Sequence, residues 1–137
     1  RHRDSALRPG EHDVSTEVQK AVAWWVHGLS SDGGDVNPGQ KKRFKDCLYR
    51  ELEFRCVYHW YPGEPQRGSG YRSVLSDINV DVALARACAA ASLPVLALPR
   101  QRIMFVNPGE VKVVDTQSNA AEVVYHAGYA AVDGAGE

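Results

Sequence analysis

Gly68-Ser69-Gly70 is the stretch whose residue types could handle a phosphate or carry a nucleophile. Backbone N–H groups of a glycine-rich loop can cradle phosphate oxygens, but only with the full Gly-x-Gly-x-x-Gly or P-loop spacing, which is absent here. Ser69 does not sit in a Gly-x-Ser-x-Gly elbow, so it is not read as a nucleophile. His27, His59 and His126 are scattered, with none of the spacings that zinc ligands show, and no metal is expected. No pair of carboxylates is placed for acid–base work, and no catalytic residue is assigned. Two groups of residues point instead to binding. Lys41, Lys42, Arg43 and Lys45 form a basic run that reads as a solvated helix face or as a patch for RNA or a partner. Tyr58, Trp60, Tyr61 and Tyr71 crowd a stretch that also holds Pro62, Gly63, Pro65, Gly68 and Gly70. Such a loop cannot be regular, so its aromatics either pack on the domain or face a partner.

Composition sets the outer bounds. The chain has 137 residues, 44% apolar and 24% charged, enough for one domain with a real core. Sixteen basic against seventeen acidic residues leave a formal charge of -1. That balance argues against bulk electrostatic binding of nucleic acid, while leaving room for a local patch. Cys47, Cys56 and Cys88 are odd in number and lack a Cys-x-x-Cys pair, unlike a secreted disulfide framework. With no apolar run long enough to span a bilayer and no secretory signal pattern, the expectation is a protein of the cytoplasm, the nucleus or both.

The elements that must position these residues follow from periodicity. Residues 1–13 are polar and read as a flexible lead, and 127–137 as a flexible tail. Ser15 or Thr16 can cap a helix carrying Val18, Val22, Trp25 and Leu29 on one face, ended by Ser31, Asp32, Gly33 and Gly34. Asn37-Pro38 restarts the chain as N-cap and first helical residue, and Phe44, Leu48 and Leu52 follow on one face to about Phe54. Two helices joined by a short polar loop form an antiparallel pair. Tyr71 to Leu75 reads as a short strand, Asp81 to Ser92 as an Ala-rich helix, and Leu93 to Pro99 as a short apolar segment that can make one helical turn. Ile103–Val106, Val111–Val114 and Glu122–His126 read as strands joined by turns at Asn107-Pro108-Gly109 and Thr116–Asn119. Strands so close in sequence form an antiparallel meander. The fold expected is a single α/β (α+β) domain over 14–126. It has an N-terminal helix pair packed with a small, mostly antiparallel sheet and inserted short helices.

His59-Trp60-Tyr61-Pro62-Gly63-Glu64-Pro65-Gln66-Arg67-Gly68-Ser69-Gly70-Tyr71-Arg72 resembles box A of the BTG/Tob antiproliferative family. That box runs His-Trp-aromatic-Pro, two free positions, Pro, one free position, then Lys-Gly-Ser-Gly-aromatic-Arg-Cys. Arg67 stands for the Lys and Ser73 for the Cys. Leu98-Pro99, five residues, then Phe105-Val106-Asn107-Pro108-Gly109-Glu110-Val111 is similar to box B. There Phe105, Asn107 and Gly109 replace a Trp, an Asp and an aromatic. Asp81 falls where the family has Asp-Pro, with Val82 in place of the Pro.

The resemblance implies a non-enzymatic adaptor without cofactor. Family members dock the Caf-type deadenylase subunit of the CCR–NOT complex and regulate poly(A) shortening, translation, and proliferation or differentiation. It implies partner contacts at Tyr61, Pro62 and Tyr71 in box A and at Phe105, Asn107 and Glu110 in box B. Phe105 keeps most of the ring area of Trp without its N–H, and Asn107 keeps the shape of Asp without its charge. Trp60 and Phe105 are also readable as core, Trp60 because Trp is mostly buried and Phe105 because it lies in an apolar strand. The alternative function is an RNA-associated scaffold that self-assembles as a dimer or polymer. It is suggested by the altered box B, the basic run and the aromatics.

Overall fold

The computed structural model describes residues 13–30 and 35–128. The lead expected over 1–13 and the tail over 127–137 lie outside the described residues except for Asp13, Ala127 and Gly128, as does the Ser31–Gly34 helix stop.

Helix α1 spans Ser15–His27 and buries Val18, Ala21, Val22 and Trp25. Its start is set one residue differently from the sequence expectation. Ser15 is already helical, and the Asp13 carboxylate takes its backbone N–H at 3.0 Å and its hydroxyl at 2.6 Å. The helix ends at Gly28, where any β-carbon would meet Pro99 Cγ at 2.4 Å. Leu29 therefore lies past the helix, half-buried.

Helix α2 spans Pro38–Val57 and buries Phe44, Leu48, Leu52 and Cys56. Asn37 and Gln40 form a reciprocal cap: Asn37 Oδ1 accepts from Gln40 N at 2.8 Å, and Gln40 Oε1 accepts from Asn37 N at 3.1 Å. The helix runs three residues past Phe54, because Cys56 extends the buried stripe by one more turn. The C-terminal end of α1 lies beside the N-terminal end of α2, so the pair is antiparallel.

A short helix α3, Ser69–Arg72, precedes strand β1, Val74–Ser76. The strand expected over Tyr71–Leu75 is thus displaced. Tyr71 and Arg72 are helical, because Arg72 N–H bonds back to Gly68 O and Ser73 Oγ to Gly70 O. Helix α4, Val82–Ala90, is capped by the Asp81 side chain, which accepts from Ala83 N at 2.8 Å. A single 3₁₀ turn at Val95–Ala97 follows. Then come strands β2 (Arg102–Asn107), β3 (Glu110–Asp115) and β4 (Ala121–His126).

The sheet runs β1-β2-β3-β4 with every neighbour antiparallel. Met104 pairs with Val74 and Val113, and Val106 with Val111. These side chains are buried and share one core with α1, α2 and α4. A bulge between Val111 and Lys112 shifts the β3–β4 register. Helix α1 packs on β2, β3 and β4, and α2 packs on α1 and α4. The result is an α+β domain with helices against one sheet face. Arg55 and Asp81 lock α2 to α4 through a bidentate pair at 2.8 and 3.0 Å, and Arg55 also donates to Ser73 O.

Candidate protein-docking site

The turns between Tyr58 and Gly68 leave backbone carbonyls that no helix or sheet satisfies. Buried carbonyls need donors, and a guanidinium with its several N–H groups supplies many at once. Arg72 does this. Its Nη1 donates to His59 O and to Arg67 O (2.7 Å), and its Nη2 to Pro65 O (3.0 Å). On the other side Nε donates to Val106 O at 2.7 Å and Nη2 to Asn107 Oδ1 at 2.8 Å. One side chain, 0% exposed, therefore ties the box A loop to the box B strand. None of these acceptors is a carboxylate. Burial accordingly holds the Arg72 guanidinium below its ordinary pKa.

Neighbouring residues are shaped by this knot. Gly68 has φ of +77°, and a β-carbon there would lie 2.8 Å from Arg72 Nη1. Trp60 is buried, with its ring 5.5 Å from the Arg72 carbon centre. Of its two sequence readings, the structural one is what the fold shows.

The expected contact residues divide into exposed, half-buried and buried. Tyr71 is 60% exposed, with its ring against His59 at 3.6 Å between centroids. Tyr61 is half-buried under the Arg67 guanidinium, 4.2 Å from its ring centre, and Pro62 is exposed. Phe105 is half-buried on the sheet face away from the helices, cross-strand from Lys112. Glu110 is half-buried opposite Asn107. Asn107 is only 3% exposed, and its side-chain oxygen is taken by Arg72. Gly109 has φ of +83°, a region glycine adopts freely, and its N–H donates to the Glu17 carboxylate at 2.9 Å.

The basic run lies elsewhere. Lys41, Lys42, Arg43 and Lys45 are exposed near the start of α2, and Lys42 pairs with Asp46 at 2.9 Å. Phe54 and Tyr58, tilted rings 5.0 Å apart, lie at the C-terminal end of the same 20-residue helix. At 1.5 Å per residue about 14–25 Å of helix separates the cations from these two aromatics, so they are not neighbours on α2.

Arg72 was not singled out as a site residue from sequence. The signal was present: a lone cation between a proline- and glycine-rich loop and an apolar strand. Among the described residues no group of three or more His, Cys, Asp and Glu side chains could hold a metal. No described helix is long and apolar enough to cross a membrane.

Fold and site together define a small α+β binding module that offers aromatic side chains around a buried hydrogen-bonded knot. The chain belongs to the BTG family, whose model matches residues 14–125. A BTG family protein of Dictyostelium discoideum is 31% identical over 100 residues, covering 69% of this chain but 23% of that protein. Human Protein BTG2 is 28% identical over 117 residues, covering 82% of this chain and 73% of BTG2. The solved BTG/Tob domain of C. elegans FOG-3, in a doubly substituted form, shares the fold. Its TM-score is 0.71 at 21% identity, covering 81% of this chain and 89% of that one. Membership supports an antiproliferative, adaptor-like role with protein partners.

Proposed function

We propose that this domain is a non-enzymatic adaptor that docks the Caf-type deadenylase subunit of the CCR–NOT complex. Through that link it regulates poly(A) shortening, translation, and proliferation or differentiation, in the cytoplasm, the nucleus or both. The observation that carries the reading is the Arg72 knot, which joins box A to box B and leaves Tyr71 and Phe105 accessible beside it. A rigid aromatic on a fixed backbone loses little entropy on binding, which suits Tyr71 and Phe105 as anchors. Tyr61, Pro62 and Glu110 extend the same surface at its margins. Asn107 contributes by holding Arg72.

The test is calorimetry of the domain with the Caf-type subunit. The expected Kd is on the order of 1 μM or tighter, equivalent to about −8 kcal/mol. Tyr71→Ala should weaken binding by about 2 kcal/mol while leaving the melting temperature close to that of the unmodified domain. No binding by the unmodified domain defeats the proposal. The RNA-associated, self-assembling scaffold has less support, because the basic run lies near the start of α2 whereas Tyr58, Trp60, Tyr61 and Tyr71 follow its C-terminal end.

A further inference from the structure

Among the described residues, one face of the sheet has no helix packed on it. Pairing registers put Leu75, Ile103, Val114 and Ala121 in one row across the four strands. The next row is Phe105, Lys112 and Val123. Their strand neighbours Val74, Met104, Val106, Val111 and Val113 point the other way, into the core. Trp24 of α1 bonds Glu122 at 3.3 Å, which fixes the helix side of β4 and leaves Val123 on the open side. Leu75, Ile103, Phe105 and Val114 are half-buried and do not pack against the core cluster. Among the described residues they lie against one another across the strands.

Between Phe105 and Val123 stands Lys112, with the apolar row of Ile103 and Val114 on one side and the polar row of Asn107, Glu110 and His126 on the other. It is half-buried and makes no ion pair among the described residues. Glu110 lies two residues back on the same strand, with His126 opposite it, and Glu110 is not within ion-pair distance of Lys112. A cation held between apolar neighbours keeps its ammonium at the surface, and here it makes no ion pair among the described residues. A partner that covers the face must supply a counter-charge, since a covered unpaired charge is costly.

We infer that the open sheet face is part of the docking surface, and that Lys112 receives a carboxylate set in an apolar patch of the partner. This rests on the adaptor reading above and adds the chemistry the partner must present. It also shifts the charge that selects the partner from position 107, which is buried, to position 112.

The experiment compares binding of the unmodified domain, Lys112→Glu, Lys112→Gln, Tyr71→Ala and a Lys20→Glu charge control to the Caf-type subunit at several salt concentrations. Melting temperatures are recorded for each. Lys112→Glu should weaken binding tenfold or more, and Lys112→Gln severalfold with a shallower salt dependence. Lys20→Glu, on the solvent side of α1, should bind like the unmodified domain. Binding that Tyr71→Ala weakens but Lys112→Glu leaves unchanged, with the same salt slope, overturns the inference and keeps the adaptor reading. No binding by the unmodified domain overturns both. A concentration-dependent dimer that Lys112→Glu dissolves would give the face to a second copy and also overturn the inference.

Discussion

A guanidinium removed from water and surrounded by carbonyl and amide oxygens is hydrogen-bonded but not neutralised. Arg72 is in that condition, and Asn107 is the neighbour best placed to change it. Asn107→Asp should put a carboxylate oxygen 2.8 Å from Nη2 with little change of shape. A bond charged on both sides is roughly twice as strong as one with a neutral partner. The new carboxylate must itself be desolvated, so the net gain should be about 1 kcal/mol, or about 4 °C in Tm. The sign with pH follows. The cation would depress the folded-state pKa of the new Asp below its unfolded value of about 3.9. The gain should therefore be complete above that value and vanish as pH falls through the depressed one. Thermal melts at pH 7 and pH 3 check this: the variant should be more stable than the unmodified domain at the first, and its advantage should be smaller at the second. Equal stability at pH 7 would show that Asn107 already serves Arg72 as well as Asp can. At this scale the sequence points to box A and box B and hides how they are joined. Asn107 lies in box B beside Phe105, and only the fold turns its side chain inward.

Local signals were the readable ones at the scale of the element. The Asn37 cap, the apolar stripes of α1 and α2, and the three-strand meander depend on residues a few positions apart, so spacing reveals them. The short helix α3 does not, because the Arg72 side chain that holds its end in place bonds to residues up to 35 positions away. Likewise the outer and inner faces of β2 could not be told apart, since Ile103, Met104, Phe105 and Val106 are all apolar and alternation carries no contrast. One element invites a substitution. Val82 is the first residue of α4 and is 53% exposed, and Asp81 before it has φ −54° and ψ 139°. Proline suits a first helical position, and the preceding residue already has the extended backbone that proline demands. Val82→Pro should raise stability by about 0.4–1 kcal/mol, seen as a higher midpoint in urea with an unchanged slope. A lower midpoint would mean that the Val82 side chain packs more than its exposure shows.

Over the whole molecule, the cysteines report how closed the core is. Burial pushes the Cys56 thiol up to about 12 and the Cys88 thiol up to about 11. Cys47 is raised too, by burial first, but it is only half-buried. Thiolates are the reactive form, so native protein at pH 8 should be labelled first at Cys47. Cys56 and Cys88 should react only at the rate of unfolding, which mass spectrometry of a labelling time course can read. The same burial gives a pH trend. A thiol whose folded pKa is raised contributes fully below its unfolded value and less as pH rises toward the folded one. Stability should therefore decline above about pH 9.

The register shift between Val111 and Lys112 has a consequence for how copies of this domain can meet. Among the described residues β4 is the last strand of the sheet, with its outer backbone groups unmatched. A straight edge of that kind would template the strand of another molecule and lengthen the sheet into a fibril. A bulge bends and twists the strand beside it and spoils the regular row of donors and acceptors that such growth requires. Copies of the chain are thereby steered away from strand-to-strand fibril growth, and crowded solutions of the folded protein should stay clear of cross-β aggregates.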